Sequence, residues 1–379
     1  MRVVLGIWIV SVAYCLLYLY LLPADSIAGD FHVFYRVSEQ LWHGDISTLY
    51  TQSITYLRDG FPDLASNPFP YPPHAIVFTT PLSVAPFHWA YALWTLIGLT
   101  LLSLTLASPA ARALYQPVWQ QRWFRYTMPL WIAGCGLSFH GLVVGQSESI
   151  LASLLLAGLL YRKHYPLLSG IAFGILTIKP HLGLLIPLLL IIEGNRRCFL
   201  SAALTTFALV GLSIAMFGAQ LWYDYVQFGQ SFAEALASED NNMKQTMFSV
   251  LHAFWLVWHL PESLAYALHL GHTCLVIGVW YYCIKRSEGE ATRLTLTLIA
   301  NLLLSPYALT YNMLPLLLVA LIYFAHATPA TQVRHHAIAG ALLFLPFLTM
   351  GMNNAGLPLT PWLLIGLMGY SAAQRQMLK

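Results

Sequence analysis

From Val3 to Leu22 the chain reads VVLGIWIVSVAYCLLYLYLL, twenty positions without a charge. A helix rises ~1.5 Å per residue, so crossing a hydrocarbon core of ~30 Å takes about that many. Arg2 precedes the run as in a signal peptide, but the apolar core is too long and no small-residue cleavage site follows. A retained first helix is expected. The rest of the chain is of the same kind: 58% of its 379 residues are hydrophobic and only 9% charged, against roughly 25% charged in soluble domains. The expected class is an all-α, polytopic membrane protein, a single integral-membrane domain over residues 1–379.

Lysine and arginine accumulate on the cytoplasmic side of membrane proteins and so orient the crossings. Basic connections occur at Arg112/Arg122/Arg125, Arg162/Lys163, Arg196/Arg197, Lys285/Arg286/Arg293 and Arg334, with Arg2 at one end and Arg375/Lys379 at the other. Assigned inside, these are fourteen of the eighteen basic residues, and twelve of the fifteen acids then fall outside. Both termini are expected in the cytoplasm, with about twelve (10–12) transmembrane helices. The net charge of +3 is spread over connecting loops, so it reports topology and not a nucleic-acid surface. The five cysteines form neither a disulfide framework nor a CxxC metal site.

One consequence concerns depth. Between the basic pairs Arg162/Lys163 and Arg196/Arg197 the chain must go out and return. The arms 166–178 and 180–192 have thirteen residues each, roughly 20 Å of helix. Their tip, Lys179-Pro180-His181, is therefore expected to sit recessed below the outer surface, with Pro180 suited to a turn because it cannot continue a helix. Segments 127–142 and 147–161 repeat the geometry around GLVVGQSES, and NLLLSPYALTYN marks a third outward junction. Non-helical backbone at membrane depth is tolerated only where it lines a protein-enclosed or water-filled cavity. One outward-opening cavity is predicted.

Two outer loops, 23–74 and 218–247, are expected to lie at the interface. In the first, Phe31, Phe34, Tyr35, Ser38, Leu41 and Trp42 recur at intervals of three and four before Gly44, which predicts an amphipathic interfacial helix stopped by glycine. Asp30 occupies its N-cap position, where the charged form of a carboxylate is favoured. The later half, FPDLASNPFPYPPH, is expected to be extended.

Chemistry is concentrated at these places. Asp30 is the candidate base, although an N-cap aspartate is also what a helix start requires. Lys179 is the more diagnostic residue, since a lysine deep in the bilayer costs roughly 2.5–3.5 kcal/mol and usually faces an anionic partner or a polar path. Its plain alternative is a side chain snorkelling to the interface. Gln146 and Glu148 can hold sugar hydroxyls or simply make a polar turn. Interfacial aromatics such as Trp42, Tyr50, Tyr71, Trp89, Trp222, Tyr223 and Tyr225 form an aromatic belt in the simplest reading. Walker, HExxH, CxxC and GxSxG motifs are absent from the sequence, which argues against nucleotide and zinc hydrolysis. An enzyme using a lipid-linked donor, a secondary transporter and a non-catalytic binder of polyprenyl lipids remain, and polar tips all on one side favour the enzyme.

The order of DFHVFY and HGDISTLY, then FPYPP, GQS, IKPHLGLL and SPYALTYN resembles glycosyltransferase family 87 of the GT-C superfamily, from about residue 25 to 325, in a bacterial form. The resemblance implies inverting transfer of a hexose, typically mannose, from a polyprenyl-phosphate donor to a glycan or glycolipid acceptor at the outer face of the cytoplasmic (inner) membrane. It implies Asp30 as base and a GT-C helical fold. Lys179, His181 and Arg36 are expected at the donor phosphate. Gln146, Glu148, Tyr71, Tyr307, Tyr311 and Asn312 are expected at sugar or acceptor. No cofactor, metal or nucleic acid is expected; the partners are donor, acceptor and membrane lipids. Ser147 replaces the asparagine usual at the first tip, and Asn312 the aspartate usual in the last motif, which leaves sugar identity less constrained than reaction class.

Overall fold

The computed structural model describes residues 27–59, 67–237 and 245–374, with residues 6, 9, 10, 12, 13 and 15 of the first segment. The run 3–22 as a whole, the stretch 60–66 and the charged tip 238–244 lie outside the described residues. Among the described residues helix is the only extended regular structure, with one isolated bridge between Met247 and Leu309. The first outer loop carries α1 (Gly29–His43) and α2 (Leu49–Asp59). Then come α3 (Phe87–Leu106), α4 (Arg122–Ala133), α5 (Gly136–Val144), α6 (Glu148–Tyr161), α7 (Pro166–Leu176), α8 (Ile186–Ile192) and α9 (Arg196–Phe217). The second outer loop carries α10 (Gln220–Ala237), followed by α11 (Glu262–Arg286), α12 (Glu290–Leu304), α13 (Leu316–Ala325), α14 (Gln332–Asn354) and α15 (Thr360–Ala373).

Four described helices, α3, α9, α11 and α14, are long and apolar enough to cross a membrane. The pair α4 and α5 makes a fifth candidate, bent by 48° at Gly134-Cys135. The expected count of about twelve also included the short arms α6, α7, α8 and α13 and the first segment, and none of the short arms has the length of a full span. Large apolar side chains on α3 and α9 face outward, Trp89 73% and Phe207 73% exposed, as lipid-covered helices require and water-covered ones do not. At the centre, α12 and α13 are buried around nearly their whole circumference, the pattern of a helix enclosed by other helices. Close approach of α7 to α9 depends on two glycines: a Cβ on Gly170 would meet the Cys198 carbonyl at 2.6 Å, and one on Gly174 the Ala202 carbonyl at 2.9 Å. Such small-residue faces let helices pack without a hydrophobic driving force in lipid.

α1 is the amphipathic helix expected before Gly44, but its inner face is rotated. Phe31, Val33, Phe34, Val37 and Ser38 are buried, whereas Trp42 is 57% exposed and reaches back to donate to the Thr80 carbonyl at 2.8 Å. The reason is that the helix packs on protein: Phe31 meets the rings of Phe87, Tyr91 and Trp94. α10 lies against α2 through Tyr225 and Phe228 on Tyr50.

Opposite the tips, the helix ends are joined by a buried charge cluster. Arg162, 1% exposed, grips Glu193 with two contacts of 2.7 Å and Glu290 with a third. Arg293 reaches Glu193 at 2.7 Å, and Lys163 reaches Glu290 at 2.7 Å. Removing one partner of a buried pair leaves the other charge uncompensated, at a cost of about 3–5 kcal/mol, against about 0–1 for an exposed pair. Arg162→Ala is therefore expected to lower the melting temperature in detergent by several degrees more than Lys163→Ala; equal small shifts would mean that the cluster does not hold the helix ends.

Candidate active site

Three chain reversals converge. Between α5 and α6, Gly145 takes a left-handed conformation (φ 77°) and Gln146 N–H returns to the Gly141 carbonyl at 2.8 Å. A side chain on Gly145 would collide with Phe31 and meet Tyr91 at 3.1 Å, so glycine is what lets the start of α1 close onto this tip. The Ala28 N–H seals that contact on the Val143 carbonyl at 2.8 Å. Between α7 and α8, Lys179 precedes one 3-10 turn opened by Pro180. Asn301 of α12 clamps that turn, donating to the Leu182 carbonyl at 2.6 Å and accepting from Leu185 N–H at 3.0 Å. Between α12 and α13, Asn312 accepts from Leu309 N–H at 2.8 Å and closes a second short turn.

The side chains of the three tips meet at Lys179. Its ammonium is paired with Glu148, and the two residues are 6% and 3% exposed. Asn312 Nδ2 donates to Glu148 Oε1 at 2.8 Å. The ammonium also lies 4.7 Å from the centre of the Tyr311 ring and 5.5 Å from that of Tyr71, an arrangement in which ring faces stabilise a desolvated cation. On its other side stands Gln146, whose Oε1 accepts from the Tyr71 hydroxyl at 2.9 Å and faces Lys179 Nζ at 3.5 Å. Gln146 Nε2 donates to Asp30 Oδ2 at 2.5 Å. The base and the cation proposed from sequence are thus separated by one amide group.

Asp30 is not the N-cap. Ala28 is, in a left-handed conformation (φ 59°), and α1 begins at Gly29. The Ala28 contact with Val143 sets the helix start two residues earlier than expected, which turns the Asp30 carboxylate toward Gln146 instead of its own helix end. The sign of its titration changes accordingly. Burial raises the carboxyl to about 6; the Gln146 hydrogen bond and the Lys179 charge oppose this, and Glu148 adds to it. Net stabilisation of the anion, expected from a helix N-terminus, is outweighed by desolvation.

One candidate stands apart. Arg36, six residues beyond Asp30 on α1, donates to the Asn67 carbonyl at 2.8 Å and so ties down the proline-rich segment. His181 stays with the cluster, its side chain hydrogen-bonded to Asn312 and its ring centre 5.9 Å from that of Tyr307, which in turn meets Phe232 of α10. Of the belt aromatics, Tyr50 is buried and donates to the Tyr71 carbonyl at 2.6 Å. Trp222 stacks on His74, which is linked to Thr177 at 3.2 Å. One residue near the cluster was not singled out from sequence: His140 on α5 contacts Thr310 at 3.2 Å and lies 5.9 Å from the Tyr311 ring. A histidine inside the apolar run GLSFHGLVV was the available signal.

A model of glycosyltransferase family 87 matches residues 69–306, well over half of the chain. Tyr71, Gln146, Glu148, Lys179 and His181 fall inside the matched span; Asp30, Arg36, Tyr307, Tyr311 and Asn312 fall outside it. No curated protein and no solved structure matches.

The raised pKa of Asp30 makes a stability prediction. Folding takes up a proton on this carboxyl between its unfolded value near 3.8 and about 6, so its contribution is full below the lower value and lost as pH rises through the upper. At pH 7 the ionised group costs at most about 2 kcal/mol, allowing for partial access to solvent. Asp30→Asn is expected to melt higher than the wild type near neutrality, with the gap closing toward pH 4, when unfolding is followed thermally in detergent. A gap independent of pH would contradict the titration.

Proposed function

Since the chain belongs to glycosyltransferase family 87, we propose that it transfers a hexose, mannose, from a polyprenyl-phosphate donor to an acceptor hydroxyl at the outer face of the cytoplasmic membrane, with inversion at the anomeric carbon. The observation that carries this reading is the pairing of Asp30 with Lys179 across a single amide, deep in a cluster formed by three chain reversals.

A hydroxyl is a weak nucleophile at neutral pH, and a carboxylate within hydrogen-bond reach assists it as general base. With a pKa of about 6, Asp30 is ionised at pH 7 yet more basic than an ordinary aspartate. As the acceptor oxygen attacks the anomeric carbon, its proton passes to Asp30. The bond from that carbon to the phosphate oxygen breaks on the opposite face, and its electron pair leaves with the lipid phosphate. Lys179 meets the charge that develops there, the kind of fixed electrostatic stabilisation worth several kcal/mol in a water-poor site. The ammonium is already held by Glu148 and has three N–H donors, so the phosphate shares Lys179 with Glu148 instead of finding it free. Asn312 keeps Glu148 in place during that exchange. Tyr71, Tyr307 and Tyr311 line the same region with ring faces and hydroxyls suited to a pyranose. The polyprenyl tail remains in the bilayer, which holds its phosphate near the depth of a recessed tip. The distribution of lysine and arginine along the chain supports an outward-facing site.

In purified enzyme given polyprenyl-phosphate mannose and an acceptor extract, Asp30→Asn is expected to lower kcat by about 10²–10⁴-fold and Lys179→Ala to lower kcat/KM by about 10²-fold or more. Near-normal turnover by folded Asp30→Asn would remove Asp30 from the reaction. Flux of the lipid or sugar through proteoliposomes without any new glycosidic product would instead make the protein a transporter.

A further inference from the structure

The amide of Gln146 has one orientation open to it. Its Oε1 faces the Tyr71 hydroxyl at 2.9 Å and the Lys179 ammonium at 3.5 Å, while Nε2 donates to Asp30 Oδ2 at 2.5 Å. An ammonium only donates and an ionised carboxylate only accepts. Turning the amide over would set N–H against ammonium and oxygen against carboxylate, so both ends hold it. The backbone beneath is equally constrained, with Gly145 in the left-handed region and Gln146 N–H bonded to the Gly141 carbonyl.

We propose that Gln146 is a positioning residue for glycosyl transfer, occupying Asp30 Oδ2 so that Oδ1 takes the acceptor proton, and fixing that carboxylate relative to the ammonium that meets the leaving phosphate. This rests on Asp30 acting as the base. The proton moves from the acceptor oxygen to Oδ1 as the new glycosidic bond forms and the bond to phosphate oxygen breaks; Gln146 gains and loses no proton. It therefore acts through Asp30 and not on the sugar. The groups that influence Asp30 are Lys179 from the middle tip, Gln146 and Glu148 from the first, Tyr71 from the first outer loop, and Tyr307 and Tyr311 from the third tip. Of these, Gln146 and Lys179 favour the ionised carboxylate, and Glu148 opposes it. Losing the Gln146 bond moves the titration of Asp30 upward.

The test is kcat and donor KM for polyprenyl-phosphate mannose from about pH 5 to about pH 9, in the intact enzyme and in Gln146→Ala, Gln146→Glu and Asp30→Asn. For Gln146→Ala the expectation is a fall in kcat of about tenfold or more with KM changed by less than about threefold, and an acid limb displaced upward by about half a unit or more. In Gln146→Glu the new carboxyl can still accept from Tyr71 and Lys179 but donates to Asp30 only when protonated, so activity is expected to survive chiefly at the acid end. That rescue separates positioning from simple loss of fold. A raised KM with an unmoved acid limb in both variants would make Gln146 a sugar ligand and overturn the proposal. If Asp30→Asn is inactive while Gln146→Ala keeps the wild-type limb, the positioning role alone fails; if Asp30→Asn turns over normally, the base assignment fails first.

Discussion

An ammonium group inside an apolar helical bundle is tolerable only if the surrounding chain replaces the water it has lost, and Lys179 is such a group. Its stem rises from an interrupted hairpin, Glu148 supplies the opposite charge, Asn312 occupies the same carboxylate oxygen, and two tyrosine rings present their faces. The partners come from the two other chain reversals and from the first outer loop. The desolvation penalty of one lysine thus couples four separate parts of the sequence, and the geometry of the site follows from satisfying it. Asp30 is drawn into the same set through Gln146, although its own sequence neighbourhood provides no reason for it to face inward.

Charge is segregated at two places along the bundle, and they differ in what they can do. Around Arg162 the contacts with Glu193 and Glu290 form a closed network that joins the ends of α6, α8 and α12. Around Lys179 one carboxylate is held at a raised pKa and remains partly accessible, and the cation keeps donor capacity beyond its partner. A closed network stabilises; an incompletely neutralised one is where a phosphate and a hydroxyl can be bound and a proton moved.

Much of this was legible from spacing. Thirteen-residue arms between basic pairs predict a short hairpin, and proline after lysine predicts where it breaks. The structure has α7 ending at Leu176 and the turn opening at Pro180. The helix before Gly44 was equally legible in its length. Its rotation was not: Val33 and Val37 are buried and Trp42 is exposed because the helix packs on protein, with Phe31 against Phe87, Tyr91 and Trp94 of a helix about sixty residues further along the chain. Nor was the helix start: a contact between Ala28 and Val143 moved it by two residues and released Asp30 from capping.

By itself the sequence determined composition, apolar periodicity, the distribution of basic residues and the positions where helix must stop, because these depend on residue type and local backbone sterics. It thereby determined an all-helical membrane protein with polar residues gathered at interrupted tips. Only the tertiary structure decided which tip residues touch, since Glu148 and Lys179, Gln146 and Asp30, and Asn312 and Glu148 are brought together across 31 to 164 positions of chain. Their partners are chosen by the need to compensate buried charge in three dimensions, and no local pattern encodes that choice.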